Sequence, residues 1–345
     1  MQGNVDHKLK ARPVHMWDSA SYDIEQHTLA FKDFMDDRGL SEALHHLWET
    51  GLIFVRDVPR EESMVETLAQ RIGVIRNTFY GRTWDVRSKP QAENVAYTNR
   101  HLGYHMDLLY MKEPPGIQLL HCLDNTCTGG ESFFADTFTA LYHLERQRPG
   151  SVEVCSKEPS IRYEYLNAAS GHHYMDTKCL ASTKNVAACS RLKFYHNDPT
   201  ESASPHLNAV DRVYWSPPFV ATTVHKHPDQ RPLNDFTLYI QRNFREVMSN
   251  FSKVLDSPQL RVETRLDPGT CVIFDNLRIV HARKAFDTSS GSRWLRGAYL
   301  DWQDFFSKAT QASELMPEAP FVAYRFANRF HQRKSELDEA PEANV

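Results

Sequence analysis

Residues 94–138 read NVAYTNRHLGYHMDLLYMKEPPGIQLLHCLDNTCTGGESFFADTF. NVAYT, GIQLLHCL and ESFFADTF are short runs of β-forming residues, punctuated by Pro114-Pro115-Gly116 and Gly129-Gly130. Apolar runs of this length between such breakers are strand signals. The texture returns in IRYEYL (161–166) and RVETRL (261–266). It continues past the Asp-Pro-Gly turn at 267–269 with CVIFD (271–275) and WLRGAYLDW (294–302). Many short strands in this order predict an α+β chain with a double-sheet jelly-roll core flanked by helices. No GxGxxG or phosphate-binding loop is present, and no βαβ repeat.

The helices lie mainly outside that block. LSEALHHLWET (40–50) reads as a helix with Ser41 as cap and Gly51 as stop. LIFVRDV (52–58) follows as a buried strand. Residues 63–72 form the next helix, opened by the capping box Ser63-x-x-Glu66 and closed by Gly73. Another runs over about 137–148, to Pro149. The clearest covers about 234–255, where Ile240, Phe244, Val247 and Phe251 make a core-facing stripe. Residues 1–20 read as an N-terminal arm and 21–335 as one domain. Within it, 167–211 is polar and irregular, an insertion or active-site lid. Residues 336–345 form a frayed acidic tail.

With 345 residues, a net charge of −4, 41% hydrophobic and 24% charged residues, the chain is an ordinary globular composition. It lacks the basic surface of a nucleic-acid binder. No apolar run approaches the roughly 20 residues of a membrane helix, and the first residues show no secretory h-region. The expectation is a cytoplasmic protein that meets neither nucleic acid nor membrane. Its six cysteines contain no CxxC pair and read as reduced thiols.

The chemistry begins at His105-Met106-Asp107. On extended backbone, residues i and i+2 share a face, so a ring nitrogen and a carboxylate oxygen can bind one metal. His281, at the end of CVIFDNLRIV, would complete a 2-His-1-carboxylate triad from a facing strand, the pattern of non-haem Fe(II) oxygenases. Such a triad leaves adjacent positions for a bidentate 2-oxo acid and for O2. Arg293, on the next strand, offers a guanidinium for the far carboxylate of 2-oxoglutarate. Each part has a plain structural reading: a surface turn for the HxD, a solvated strand-edge cation for Arg293. The order HxD, His, Arg is much more specific than its parts.

Two blocks, 94–138 and 266–302 (LDPGTCVIFDNLRIVHARKAFDTSSGSRWLRGAYLDW), strongly resemble the γ-butyrobetaine hydroxylase and trimethyllysine hydroxylase family, TauD-like dioxygenases; weaker likeness extends from about 50 to 335. The resemblance implies a double-stranded β-helix core, Fe(II) on His105, Asp107 and His281, and 2-oxoglutarate held by Arg293 and Ser132 and packed by Leu120. It implies an aromatic cage from Tyr80, Trp84, Tyr97 and Tyr299 for a quaternary ammonium group, which cannot donate a hydrogen bond and is recognised by aromatic faces through cation–π attraction. Asn94 matches a contact to the substrate carboxylate. The expected substrate is a small ammonium-bearing acid like γ-butyrobetaine.

Three departures stand beside it. The family's N-terminal zinc module has no counterpart, since no Cys precedes Cys122. RVYWSPPF (212–219) places Ser216 where the butyrobetaine enzymes carry a second carboxylate-contacting Asn. Residues 167–211 are unlike the family. These leave open the same iron chemistry on another amino acid or secondary metabolite, by hydroxylation, desaturation or ring closure. A non-catalytic binding protein on the same fold would have a damaged triad or lack the Arg. A zinc hydrolase would want a nearby general base and leave Arg293 unexplained. Residues 319–334 would offer a homodimer an apolar helix face.

Overall fold

The apolar runs that read as strands pair into two facing sheets, and helices cover the outside. The computed structural model describes residues 14–87, 98–157, 161–167, 170–183, 210–221 and 235–313. Its N-terminal elements are β1 (Thr28–Ala30), α1 (Phe31–Met35), α2 (Asp37–Thr50), β2 (Leu52–Arg56) and α3 (Met64–Ile72). The central part holds β3 (Trp84–Arg87), β4 (Leu102–His105), β5 (Ile117–Asn125), β6 (Thr128–Gly129), β7 (Ser132–Asp136), α4 (Thr137–Gln147) and α5 (Ser151–Lys157). Next come β8 (Ile161–Asn167), β9 (His172–Lys178), β10 (Ala181–Thr183), β11 (Val210–Val213) and α6 (Asp235–Leu255). Last come β12 (Val262–Thr264), β13 (Cys271–Asp275), β14 (Ile279–Arg283), β15 (Phe286–Asp287), β16 (Arg293–Leu300) and α7 (Trp302–Ser313).

The larger sheet has the order β1-β2-β13-β5-β16-β3 and the smaller β12-β7-β14-β4. This is the jelly roll the sequence predicts. Phe134 of β7 meets Phe54 of β2 and Phe274 of β13 edge-on, at ring-centroid distances of 6.0 and 5.8 Å, and so joins the two sheets. Strands β13 and β7 are buried along their whole length, which explains their unbroken apolar runs.

Several local expectations change. Helix α2 begins earlier than expected, capped by Asp36, whose side chain accepts from Arg38 N at 3.0 Å. Ser41 lies inside the helix and ties it to α7, Oγ donating to Ala312 O at 2.9 Å. Gly51 ends the helix in the left-handed region, at φ 76, as a glycine stop should. The capping box at Ser63 does not form: Ser63 is already helical and its side chain caps nothing, while Glu66 accepts from Arg82 instead. Gly73 closes α3 for want of space; a Cβ there would lie 2.6 Å from Asp304 Cβ.

The segment read as irregular contains sheet. Strands β8 and β9 pair antiparallel over seven positions, and β10 pairs with β11. The expected arm is packed from residue 14 on, with Val14, Met16 and Trp17 in the core and Trp17 Nε1 donating to Thr50 O at 2.7 Å. Phe244, Val247 and Phe251 of α6 are buried as expected; the Ile240 side chain lies outside the described set. Residues 319–334 and the acidic tail also lie outside it. The five described cysteines are free thiols, and no helix among the described residues is long and apolar enough to cross a membrane.

Candidate active site

Strand β4 ends at His105, and the chain then turns sharply, with Leu108 at φ 61. A side-chain-bearing residue held there costs about 1–2 kcal/mol, and such strain concentrates at functional sites. The turn, not an extended strand, puts Asp107 beside His105. Buried Asn276 clamps it: Asp107 N donates to Asn276 Oδ1 at 2.9 Å, and Asn276 Nδ2 donates to Asp107 O at 3.0 Å and Pro115 O at 3.1 Å.

His281 comes from the adjacent antiparallel strand of the same sheet, not from a facing one; it is the register partner of His105. One ligand atom from each of His105, Asp107 and His281 lies within 4.8 Å of the others, and His105 Nε2 is 3.5 Å from Asp107 Oδ1. His105 Nδ1 lies 2.9 Å from Gly103 O. A carbonyl only accepts, so Nδ1 carries the proton and Nε2 presents its lone pair. Burial, reinforced by the neighbouring His105, pushes His281 down to about 3; burial lowers His105 too. Both rings are therefore neutral at physiological pH, the form that binds metal.

The other carboxylate oxygen is taken. Asp107 Oδ2 accepts from Gln118 Nε2 and from the Tyr299 hydroxyl, both at 2.7 Å. Burial first, and then the charge of Asp107, pushes the Tyr299 phenol well above its usual range, so it stays a donor. Its ring stacks on Trp84 with centroids 3.8 Å apart. Gly297 makes room: a Cβ there would lie 2.4 Å from the indole.

Arg293 opens β16 in the larger sheet, with the two-residue strand β15 between it and β14 in the chain. It is only 6% exposed, and burial lowers its pKa. Among the described residues no carboxylate pairs with it, and its Nε has no hydrogen-bond partner. Gly130, at φ 77, lets it through: a Cβ there would lie 3.2 Å from Arg293 Cδ and Nε. Ser132 stands opposite Arg283 in the sheet register. Burial and the nearby Arg293 push Arg283 down to about 9.

One cavity is lined by the three candidate ligands together with Arg293, Ser132 and Leu120, and by Tyr80, Trp84 and Tyr299. Ser216 is not part of its lining. It is buried, and its backbone carbonyl accepts from Phe219 N at 3.0 Å. Asn94 and Tyr97 lie outside the described residues. Tyr110, Phe219 and Gln118 also line the cavity. An aromatic or amide in a strand-rich block reads as core from sequence; Gln118 reaches the cavity through its strand register, Tyr110 and Phe219 from turns outside the strands.

The donors suit a divalent transition metal of the iron group: two neutral imidazoles and one carboxylate oxygen, in a cavity holding a buried cation that no described carboxylate neutralises. Residues 13–299 match the family described as taurine catabolism dioxygenase TauD, TfdA. "Dioxygenase str8" of Strobilurus tenacellus is 34% identical over 79% of this chain and 59% of its own length. The human gamma-butyrobetaine dioxygenase is 28% identical over 81% of this chain and 65% of its own. The chain thus spans less than two thirds of these relatives' length. The crystal structure of AAD-2 in complex with Mn(II) and N-oxalylglycine shares the fold, with a TM-score of 0.51 at 15% identity over 76% of this chain and 88% of that one. By its sequence match over most of its length, the chain belongs to the TauD, TfdA dioxygenase family.

Proposed function

We propose that this chain is an Fe(II)- and 2-oxoglutarate-dependent dioxygenase that hydroxylates an aliphatic C–H bond of a small ammonium-bearing acid. The observation that carries the reading is one cavity joining three clustered ligands to a buried guanidinium that no described carboxylate neutralises. His105, Asp107 and His281 would hold the iron. Bound iron, with O2 and 2-oxoglutarate, supplies the oxidising power that turns C–H into C–OH while 2-oxoglutarate becomes succinate and CO2. Arg293 and Ser132 would grip the far carboxylate of 2-oxoglutarate, and Leu120 would pack its methylenes. A planar guanidinium in a dry site suits that carboxylate by two-pronged hydrogen bonding. Tyr80 and Trp84 would present aromatic faces to a cationic head; among the described residues, Asp107 is the only carboxylate lining the cavity. The apolar walls would exclude water and hold one C–H bond toward the iron.

A second substrate reading has specific support. Ser216 is absent from the cavity lining, and the Tyr299 hydroxyl is engaged by Asp107. The same residues would then act on a different amino acid or a secondary metabolite. The test is succinate formation by anaerobically iron-loaded protein with 2-oxoglutarate and a panel of γ-butyrobetaine, trimethyllysine and non-methylated amino acids. Turnover with γ-butyrobetaine, lost in His105→Ala, supports the first reading; turnover only with the others supports the second. No succinate from iron-loaded protein with any of them, nor any uncoupled, would refute the dioxygenase assignment.

A further inference from the structure

Tyr299 and Gln118 are direct register partners on the antiparallel strands β16 and β5. A cross-strand pair carries its side chains on the same face of the sheet. Here both end on one atom: the Tyr299 hydroxyl and Gln118 Nε2 each donate to Asp107 Oδ2 at 2.7 Å. Both residues are 1% exposed. Tyr299 is further fixed by its stack on Trp84, which the side-chain-free Gly297 admits. The two donors therefore belong to a rigid patch of the larger sheet, while Asp107 belongs to the turn after β4 in the smaller one.

We infer that Tyr299 and Gln118 are positioning residues that hold Asp107 as a one-oxygen metal ligand, so that the Tyr299 hydroxyl serves Asp107 rather than the substrate. The inference rests on the iron-site reading above. A free carboxylate can bind a metal through either oxygen or both. Binding through both would occupy an extra coordination position, and a site for a bidentate oxo acid and O2 has none to spare. Two donors on Oδ2 satisfy that oxygen and leave Oδ1, the atom nearer His105 Nε2, to face the metal. Partners of this kind usually contribute 10- to 100-fold in metal affinity. The Tyr299 hydroxyl is committed to Asp107, and one face of its ring is covered by Trp84.

The probe is Co(II) alone, titrated into apo protein, with affinity read by calorimetry and coordination number by the intensity of the visible d–d bands. Tyr299→Phe keeps the ring and its stack and removes one donor; Gln118→Met removes the other. Each is expected to weaken Co(II) binding about tenfold or more and to alter the d–d spectrum toward higher coordination, with the apo melting temperature recording that the fold is kept. Unchanged affinity and spectrum in both folded variants would overturn the inference and leave the iron site standing. A raised substrate KM as the only effect of Tyr299→Phe would mean that its hydroxyl serves the substrate rather than Asp107, and would overturn it equally. A wild-type protein that binds no Co(II) would overturn both this inference and the iron-site reading.

Discussion

His281 stands directly opposite His105 on neighbouring antiparallel strands, and their ring centroids are 4.1 Å apart. Two residues separated by most of the barrel's chain length are thus locked as one cross-strand pair, and the pairing aims both rings at the carboxylate of Asp107. Replacing either histidine by alanine leaves two ligands. Metal content after anaerobic loading and dialysis is expected to fall to background in both variants, with succinate formation lost. Retention of stoichiometric iron by either variant would remove that residue from the site.

Arg293 makes a two-signed prediction. A buried guanidinium with no carboxylate partner among the described residues pays for desolvation in the free protein but is what a dicarboxylate needs on arrival. Arg293→Met should raise the melting temperature of the apo protein. It should also raise the KM for 2-oxoglutarate by a factor corresponding to about 2–5 kcal/mol, the usual cost of truncating one partner of a buried charge pair. A variant with unchanged KM would show that the far carboxylate binds elsewhere.

Gly130 is the passage for that side chain. Its φ of 77 disfavours any other residue, and a Cβ would press on Arg293 Cδ and Nε. Gly130→Ala is expected to destabilise the fold by about 1–2 kcal/mol through backbone strain. It should also raise the 2-oxoglutarate KM with little change in kcat. Gly103, beside which no atom lies within 4 Å of an added Cβ, is the control position.

What the sequence made legible follows from what is local. The apolar runs 117–125 and 271–275 are buried on both faces, so they read as strands without help from tertiary structure. His105, Asp107, His281 and Arg293 carry chemistry rare enough to be noticed in order. The pairing of Tyr299 with Gln118, by contrast, is a matter of register between residues 181 positions apart (299 − 118), and no local pattern encodes it. The same holds for Ser41, which looked like a cap but bonds to Ala312 across the helix layer. The His172–Lys178 strand lacks a long apolar run, since most of its residues are polar on both faces.

Arg278 ties the N-terminal segment to the sheets. It is 1% exposed and bonds Asp136 through Nε at 3.1 Å and an Nη at 2.7 Å; it also donates to Glu49 O and His15 O. Asp136 is wholly buried and caps α4 through Phe138 N. Arg278→Met would strand that carboxylate, at a cost of about 3–5 kcal/mol in chemical denaturation. Adding Asp136→Asn, which keeps an acceptor for the cap but removes the charge, is expected to recover much of the loss. A double variant no more stable than the single would show that the contacts to Glu49 and His15 carry the stabilisation instead.

His121 predicts how the apo protein responds to acid. It is fully buried on β5, neither ring nitrogen has a hydrogen-bond partner among the described residues, and burial lowers its pKa to about 4. The unfolded chain protonates this ring near pH 6.5, while the folded protein keeps it neutral down to about 4. Between those values the unfolded state binds the extra proton, so stability is full above about 6.5 and falls as the pH drops toward 4. His281 acts in the same direction, over a window reaching down to about 3 in the metal-free protein. His121→Leu removes the His121 contribution and fills the same apolar space. The apo variant is expected to be more stable at neutral pH and to lose stability less steeply between pH 6.5 and 4, measured by urea denaturation at a series of pH values. An acid limb as steep as that of the parent would mean that His121 finds a partner for its proton in the folded state.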